Sequence, residues 1–488
     1  MSDSGKDAAS THKQTTTQGE QLAKAIRWIV NDRMFADVSV HGNANWVPAH
    51  LVRVAILWVW SSQPLLVESA KDAIKSVNTL FGTTGIHSYQ TLINALKKYT
   101  DQILPPLIKR MHQLMEKTDQ ASFRIGLWLV LAVDGSRLDA CRTLANEKRF
   151  CKPKNNKKSK KKKKNKRGRH AKKRKPVSKK KNYNPQPVGP QVWLTLLWHV
   201  GQRLPWAWKI GPSYSSERAH LLEMLNVSKL PKNTLICGDA GFVGYDFWNA
   251  ILAAGGHFLV RVGGNVNLLS ERADVKRLGD GVVLCWPKGK MNSGAKPLRL
   301  RLVKVKIGKT TMWMLTSVLD RKKLSHKKII KYYKMRWGVE VEFRGLKQTI
   351  DRRNLRCRNS ARVYVELDWS IRAMAFAELI ALRQQIPGGD EIPTQTDQDY
   401  DTKDRSLANT MRALRTCMRN LNKYTDPNHD LLWQLSRALV QKYHNRTNKK
   451  ARYHPKNPDK KPLGEPQIRK LSSEERARLK KLNDQIAI

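Results

Sequence analysis

Acidic residues are scarce in this chain of 488 residues: 40 Asp and Glu stand against 92 Lys and Arg, a formal net charge of +52. So large an excess of one sign excludes indifference to polyanions. Lys and Arg displace counterions from phosphate backbones, which makes nucleic acid the expected partner. Paired cysteines are missing too. Cys141, Cys151, Cys237, Cys285, Cys357 and Cys417 lie scattered without a CxxC, which argues against a disulfide frame or a zinc site and for reduced thiols in the cytoplasm. Long apolar runs are absent. Leu51–Trp60 and Ile125–Val133 fall far short of the ~20 residues that span a bilayer. The N-terminus is polar and lacks the apolar centre of a secretory signal. What is present is enough apolar residue, 40%, to bury a core. The length accommodates two to four domains at about 100–200 residues each.

Residues 1–20 are polar and expected to lack structure. Residues 21–122 carry helical apolar spacing, with helices over Gln21–Asn31, Pro48–Ser61, Val67–Leu80, Tyr89–Tyr99 and Pro106–Lys117. Ser88 stands where an N-cap would, and Pro48 suits a first helical position. From residue 123 the pattern changes. Gly126–Val133 reads as a buried strand ending at Asp134-Gly135-Ser136. Strands Gln191–Val200 and Leu204–Ile210 follow, then an amphipathic helix over Ser216–Asn226 with an acid in its first turn. Strand Thr234–Cys237 ends at Gly238-Asp239, helix Tyr245–Ala254 comes next, and then strand His257–Val262. The order is β, β, β, α, β, α, β.

Residues 263–318 read as a β-rich insertion with strands over Val282–Trp286, Leu298–Val305 and Thr311–Val318. A long helix over His326–Asp351 follows, completing a core of 123–351. Helices Leu367–Gln385 and Leu407–Leu421 occupy a C-terminal region, 352–445, separated by a polar loop. Residues 446–488 form a basic tail with one helix from Ser472, where Glu475 completes a capping box. Between the first two strands lies Lys152–Lys181, with 19 Lys or Arg and no acid. It cannot fold on its own and suits nonspecific nucleic-acid contact. Gly308-Lys309-Thr310 imitates a phosphate loop but lacks the preceding Gly, so it reads as a hairpin turn. Asp397, Asp399 and Asp401 imitate a calcium loop without its Gly and Glu, and read as a solvated acidic loop.

Three acids stand out by position. Asp134 and Asp239 close strands, each with a Gly close behind, and Glu340 lies in the long helix. Two carboxylates on neighbouring strands and a third from a packed helix can hold two magnesium ions, which clamp the attacking and leaving oxygens of a phosphodiester displacement. Each acid alone is equally compatible with a surface turn or a solvated helix face. On the helix, Tyr333, Arg336, Glu340 and Lys347 fall within a sector of about 60° at about 100° per residue, with Arg344 beside it. Glu342 points to the opposite side. One face thus gathers cations around one carboxylate, which suits a metal-bound phosphate.

The segment Tyr332–Gln348, YYKMRWGVEVEFRGLKQ, resembles the signature of the insertion-sequence-4 family of DDE transposases: Tyr, two residues, Arg, three residues, Glu, six residues, Lys. Tyr333, Arg336, Glu340 and Lys347 fit it without a gap, and Asp134 in VDGS and Asp239 in CGDAGF resemble the family's first two acidic motifs. The resemblance spans the core. It implies an α/β ribonuclease-H-like fold with a β-rich insertion, here flanked by helical N- and C-terminal regions. It implies that Asp134, Asp239 and Glu340 bind two Mg2+ or Mn2+ ions and that Tyr333, Arg336, Arg344 and Lys347 contact DNA. The expected activity is cleavage at transposon terminal inverted repeats and strand transfer into target DNA, by a homodimer in a synaptic complex at the nucleoid. Residues 21–122 are expected to recognise the ends, and 352–445 offer a surface for dimerisation. Trp286 and Trp313 are read as packing residues, with base stacking as the alternative. Two departures stand out: Ala240 replaces an Arg common after the second Asp, and the Lys-rich insert has no counterpart. The rival readings are a catalytically inactive, transposase-derived nucleic-acid-binding protein and a ribonuclease-H-like nuclease without strand transfer.

Overall fold

The computed structural model describes residues 16–153, 189–227, 229–272, 274–290, 295–386, 401–424, 426, 429–440 and 463–484. The Lys-rich run beyond Pro153 lies outside them, as do Asp397 and Asp399. The N-terminal helices are α1 (Gln18–Ile29), α2 (Pro48–Trp60), α3 (Leu66–Phe81), α4 (Tyr89–Thr118) and a single turn, α5 (Gln120–Phe123). Helix α1 begins earlier than expected because Thr17 and Glu20 form a capping box. The Thr17 hydroxyl accepts from the Glu20 amide at 3.1 Å, and the Glu20 carboxylate accepts from the Thr17 amide at 2.7 Å. The two helices expected over Tyr89–Tyr99 and Pro106–Lys117 are one. Pro105 and Pro106 sit inside α4 and remove donors, but Ile103, Leu107 and Met111 are buried on one side of the axis and that packing carries the helix through.

The core is built from β1 (Leu129–Ala140), α6 (Leu144–Phe150), β2 (Gln191–His199), β3 (Leu204–Pro212), α7 (Glu217–Val227), β4 (Thr234–Gly238), α8 (Tyr245–Ala253) and β5 (His257–Val262). In the sheet these strands run β3-β2-β1-β4-β5. Strands β1, β4 and β5 are parallel, and β2 pairs antiparallel on both of its sides. This is a ribonuclease-H-like α/β sheet, as expected. The insertion contributes β6 (Asn267–Ser270), α9 (Val275–Leu278), β7 (Asp280–Cys285), β8 (Leu298–Ile307) and β9 (Thr310–Thr316). It is not a separate sheet: β9 pairs antiparallel with β5, so the core sheet continues through β9-β8-β7-β6. The phosphate-loop imitation is the tight turn between β8 and β9, with Gly308 at φ +59°.

The expected long helix is divided. Helix α10 (His326–Arg336) stops at Trp337, α11 (Gly338–Arg344) restarts, and Gly345–Thr349 form a wide π-type turn. A short strand, β10 (Asn354–Leu355), joins the end of β1. Helix α12 (Ser360–Gln385) comes next, then α13 (Leu407–Arg419) and α14 (Leu431–Ser436). The tail holds a strand the composition does not announce, β11 (Gln467–Lys470), parallel to β6 at the far edge of the sheet. Helix α15 (Ser473–Asp484) follows, and its capping box is present: the Ser472 amide donates to Glu475 at 2.8 Å and the Glu475 amide to the Ser472 hydroxyl at 3.2 Å.

Helix α12 is buried along nearly its whole length and meets α2 and α4 on one flank and α13 and α14 on another. Trp60 of α2 donates from Nε1 to the Ala373 carbonyl at 2.8 Å. The Cys417 thiol of α13 donates to the Gln18 carbonyl at 3.1 Å. The flanking helical regions therefore share one core. The sheet is covered on both faces. Successive strand residues alternate sides: Thr195 on β2 meets His220 of α7 at 2.9 Å, and Trp198, three positions on, donates to Glu342 of α11 at 3.2 Å. Helix α7 and helices α10–α11 thus lie on opposite faces.

Candidate active site

Register places the two aspartates. Ala132 of β1 stands opposite Cys237 of β4 in a parallel pair, so Asp134, two residues on along β1, comes near Asp239, the residue that follows the end of β4. Asp134 does not end its strand. Strand β1 runs on to Ala140 because β2 pairs with it throughout. What ends is β4, at Gly238, and β10 takes up pairing only at Asp139. Between them the edge of β1 is open, and that gap is the cleft. Asp239 turns the chain there: its Oδ1 accepts from the Gly241 amide at 2.7 Å. Asn265 supports the turn by donating to the Ala240 carbonyl at 2.9 Å.

Asp134 is partly buried. Its Oδ1 accepts from the Gly135 amide at 2.8 Å, and its Oδ2 lies 3.4 Å from Nη1 of Arg336. Burial pushes its carboxyl above the usual range, and the charges of Asp239 and Glu340 push the same way. The Gly135 amide and Arg336 oppose them. Asp239 and Glu340 are therefore both within electrostatic reach of Asp134. Glu340 is exposed, whereas Glu342 is buried.

The cations divide. Arg336 is buried and its Nε has no partner. Its guanidinium stacks over Tyr333 at 5.3 Å and Trp337 at 5.2 Å. Tyr333 is buried too, which raises its phenol. Lys347 donates to the Ser136 hydroxyl at 2.7 Å, so the wide turn brings it back to β1 two residues beyond Asp134. Arg344 is exposed. Arg336 and Lys347 thus meet β1 at Asp134 and Ser136, Tyr333 packs under Arg336, and Arg344 faces solvent. Trp313 is buried and Trp286 donates to the Ala295 carbonyl at 2.9 Å, both as packing residues.

Glu217, at the start of α7, is the residue that the sequence pattern did not single out. Its only signal was an acid in the first turn of a helix that follows three strands. Burial and the charges of Asp134 and Asp239 raise its carboxyl to about 7. A Cβ at Gly135 would stand 2.4 Å from Glu217 Oε1.

Among the described residues no three His, Cys, Asp or Glu side chains converge as ligands of one ion. The Asp134 and Asp239 oxygens are engaged by Arg336 and by backbone amides instead. The donor set is nonetheless all carboxylate oxygen, the chemistry of magnesium and manganese, and its like charges call for a cation between them.

The sheet order and the carboxylate-lined gap at its centre define a ribonuclease-H-like protein. Residues 190–376 match the family model described as transposase DDE domain, a stretch that contains Asp239 and Glu340 and begins after Asp134. Over that stretch the chain is similar to the transposase DDE domain. No curated protein matches it. Among solved structures it is similar to a piggyBac transposase synaptic complex with hairpin DNA, at 11% identity over 87% of this chain and 86% of that one; the TM-score of 0.35 is too low to carry an argument. Among the described residues no helix is long and apolar enough to cross a membrane.

Proposed function

We propose that this chain is a metal-dependent DNA transposase that cuts at the terminal inverted repeats of its element and joins the freed ends to target DNA. The placement of Asp134 on β1 beside Asp239, which directly follows the end of the adjacent parallel strand β4, where β1 is open between β4 and β10, is the observation that carries this. Asp134, Asp239 and Glu340 would hold two Mg2+ or Mn2+ ions, which when bound lower the pKa of an attacking water and stabilise the leaving oxygen.

The chain's own residues supply the rest. The Arg336 guanidinium, buried with a free Nε, is aimed where a phosphate oxygen would sit beside Asp134. Lys347 places a second cation on the Ser136 side. Hydrolysis of the phosphodiester leaves a 3′-hydroxyl, and attack of that hydroxyl on a target phosphate transfers the strand while expelling the target's 3′-oxygen. The enzyme works as a homodimer that pairs two ends, and its net charge of +52 favours residence on DNA at the nucleoid.

The test is an excision assay on the gene with its native flanking DNA, using wild type, Asp239→Asn and Glu340→Ala. Excision by wild type, falling on the order of 100-fold or more in both variants, supports the proposal. Equal excision by all three overturns it. DNA binding without cleavage by wild type identifies a binding protein, and cleavage without joining identifies a nuclease.

A further inference from the structure

From Arg352 to Arg362 the chain carries five arginines, and no acid stands between Asp351 and Glu366. The structure gives these arginines different tasks. Arg352 is buried, its Nε donating to the Ser370 hydroxyl at 2.9 Å with the Glu366 carboxylate at 3.7 Å. Arg356 donates to the Pro64 carbonyl and pairs with Asp351, and Arg362 donates to Gln90 Oε1 at 3.2 Å. Arg353 and Arg358 are exposed, and neither enters a salt bridge among the described residues.

Pairing fixes where these two lie. The Asp139 amide of β1 donates to the Arg353 carbonyl at 3.0 Å, and β10 runs beside β1 from there. Arg353 therefore stands at the far end of the gap, about 17 Å from Asp134 along the strand. Burial lowers the Lys347 ammonium, Asp139 opposes that and Arg353 adds to it. Arg353 is thus within electrostatic reach of the cation that meets Ser136. The segment then leads to the N-terminal helices. The Arg358 carbonyl accepts from the Thr143 hydroxyl at 2.8 Å, the Tyr89 hydroxyl meets the Cys357 thiol at 3.5 Å, and Arg356 reaches Pro64, just before α3. There a groove opens, lined by Lys71, Ile74, Lys75, Asn78 and Thr79 of α3 and by His87. Asn78 Oδ1 accepts from the Thr84 amide at 3.0 Å, and the Thr79 hydroxyl donates to the Lys75 carbonyl at 3.0 Å. What the groove offers is chiefly positive charge. Lys71 meets Glu68 at 3.0 Å, but both are well exposed, and a pair in water holds so weakly that a phosphate displaces it.

We propose that Arg353, Arg358 and the Lys71–Lys75 face of α3 form one seat for the phosphate backbone of duplex DNA as it leaves the gap. The seat rests on the function proposed above, which supplies duplex DNA as the occupant. Cations spaced along a surface hold phosphates and fix the register of a duplex without reading its sequence. The seat therefore sets how far the duplex extends past the cut. The interval of about 17 Å from Asp134 to Arg353 equals about five base pairs at about 3.4 Å each.

The experiment is a salt titration of binding, read by fluorescence anisotropy, between the full chain and a duplex carrying the terminal repeat from the gene's flanking DNA, without divalent metal. Wild type is compared with Arg353→Ala/Arg358→Ala, with Lys71→Ala/Lys75→Ala and, as a control, with Lys480→Ala/Lys481→Ala on α15. Circular dichroism confirms that each variant is folded. The slope of log affinity against log salt is expected to fall by about two in each of the first two variants and to hold in the control. Ethylation of phosphates about five base pairs from the cut is expected to interfere with binding by wild type and not by Arg353→Ala/Arg358→Ala. Wild-type slopes in the first two variants, or an equal fall in all three, overturn the seat. So does a fall seen with single-stranded RNA and not with the duplex. Excision with unchanged slopes removes the seat and leaves the transposase, whereas the expected slopes without excision by wild type leave a DNA seat and remove the transposase.

Discussion

Arg336 Nη1 lies 3.4 Å from Asp134 Oδ2, at the bottom of the gap between β4 and β10. The guanidinium neutralises a half-buried carboxylate that would otherwise face two further acids. It also competes for the oxygens that a divalent cation would need. Arg336→Met is expected to tighten Mn2+ binding roughly tenfold, because a unit charge a few ångströms away is removed from a poorly solvated site, while excision falls. Weaker Mn2+ binding in the variant would show instead that Arg336 organises Asp134 for the ion. Calorimetric titration distinguishes the two.

Glu342 provides a control for Glu340. It is buried beneath α11, accepts from Trp198 Nε1 at 3.2 Å, and faces Glu378 of α12. Burial first, then the Glu378 charge, raises its carboxyl well above the ordinary value. The folded state therefore holds a proton that the unfolded state releases above about pH 4.5, so this residue costs stability as pH rises. Glu342→Gln is expected to excise normally, to match wild type in Tm near pH 4, and to exceed it progressively toward pH 8. A variant that melts lower than wild type at pH 8 would mean that the charged form is the native one.

Two buried histidines set the acid limit. His199 Nε2 donates to the Phe123 carbonyl at 3.0 Å, and its Nδ1 accepts from the Gln202 amide at 3.0 Å, a pattern only the neutral ring satisfies. His112 stacks on Trp206 at 3.6 Å and donates to that residue's carbonyl. Burial lowers His199 to about 3 and His112 to about 4. Stability from these rings is complete above pH 6.5 and is lost as pH falls from there toward those values. The loss reaches on the order of 3 kcal/mol for each. Chemical denaturation between pH 7.5 and 5 should show it, with a shallower slope in His199→Asn.

Gly135→Ala tests the contact between the first acidic motif and α7. The backbone there is not left-handed, so the cost is steric: the new methyl meets Glu217 at 2.4 Å. A destabilisation of about 1–3 kcal/mol is expected, and it should vanish in the Glu217→Ala background. An equal cost in both backgrounds would place the strain elsewhere.

The strands and the signature face were legible because short apolar runs end at turns and because charge on a helix is periodic. Asp134, Asp239 and Glu340 came from those two signals. The break at Trp337 was not legible. Gly338, a poor helix former, was the one local hint, and its reason lies in packing: a Cβ there would stand 2.1 Å from the Trp198 ring, and the close approach of β2 is a tertiary fact. Glu217 was hidden for a similar reason. Its partners, Gly135 and Gly241, lie on other elements, and nothing in a helix's own periodicity points across a sheet. Strand β11 pairs with a partner some 200 residues earlier in the chain, too remote for local patterning in a basic tail to reveal.

Helix α12 has a consequence for the order in which this protein comes into being. Synthesis delivers α1 to α5 first, the sheet next and the signature helices after that, yet α2 and α4, which pack on each other and on α3, also close on α12. Until residue 385 has left the ribosome the N-terminal helices have no completed core, and the contacts they await are among the most distant in the chain. A message cut short before α12 would yield every acidic motif of the cleft and still no folded body to hold them. A fragment carrying the full complement of site residues is therefore expected to remain an aggregation-prone polypeptide.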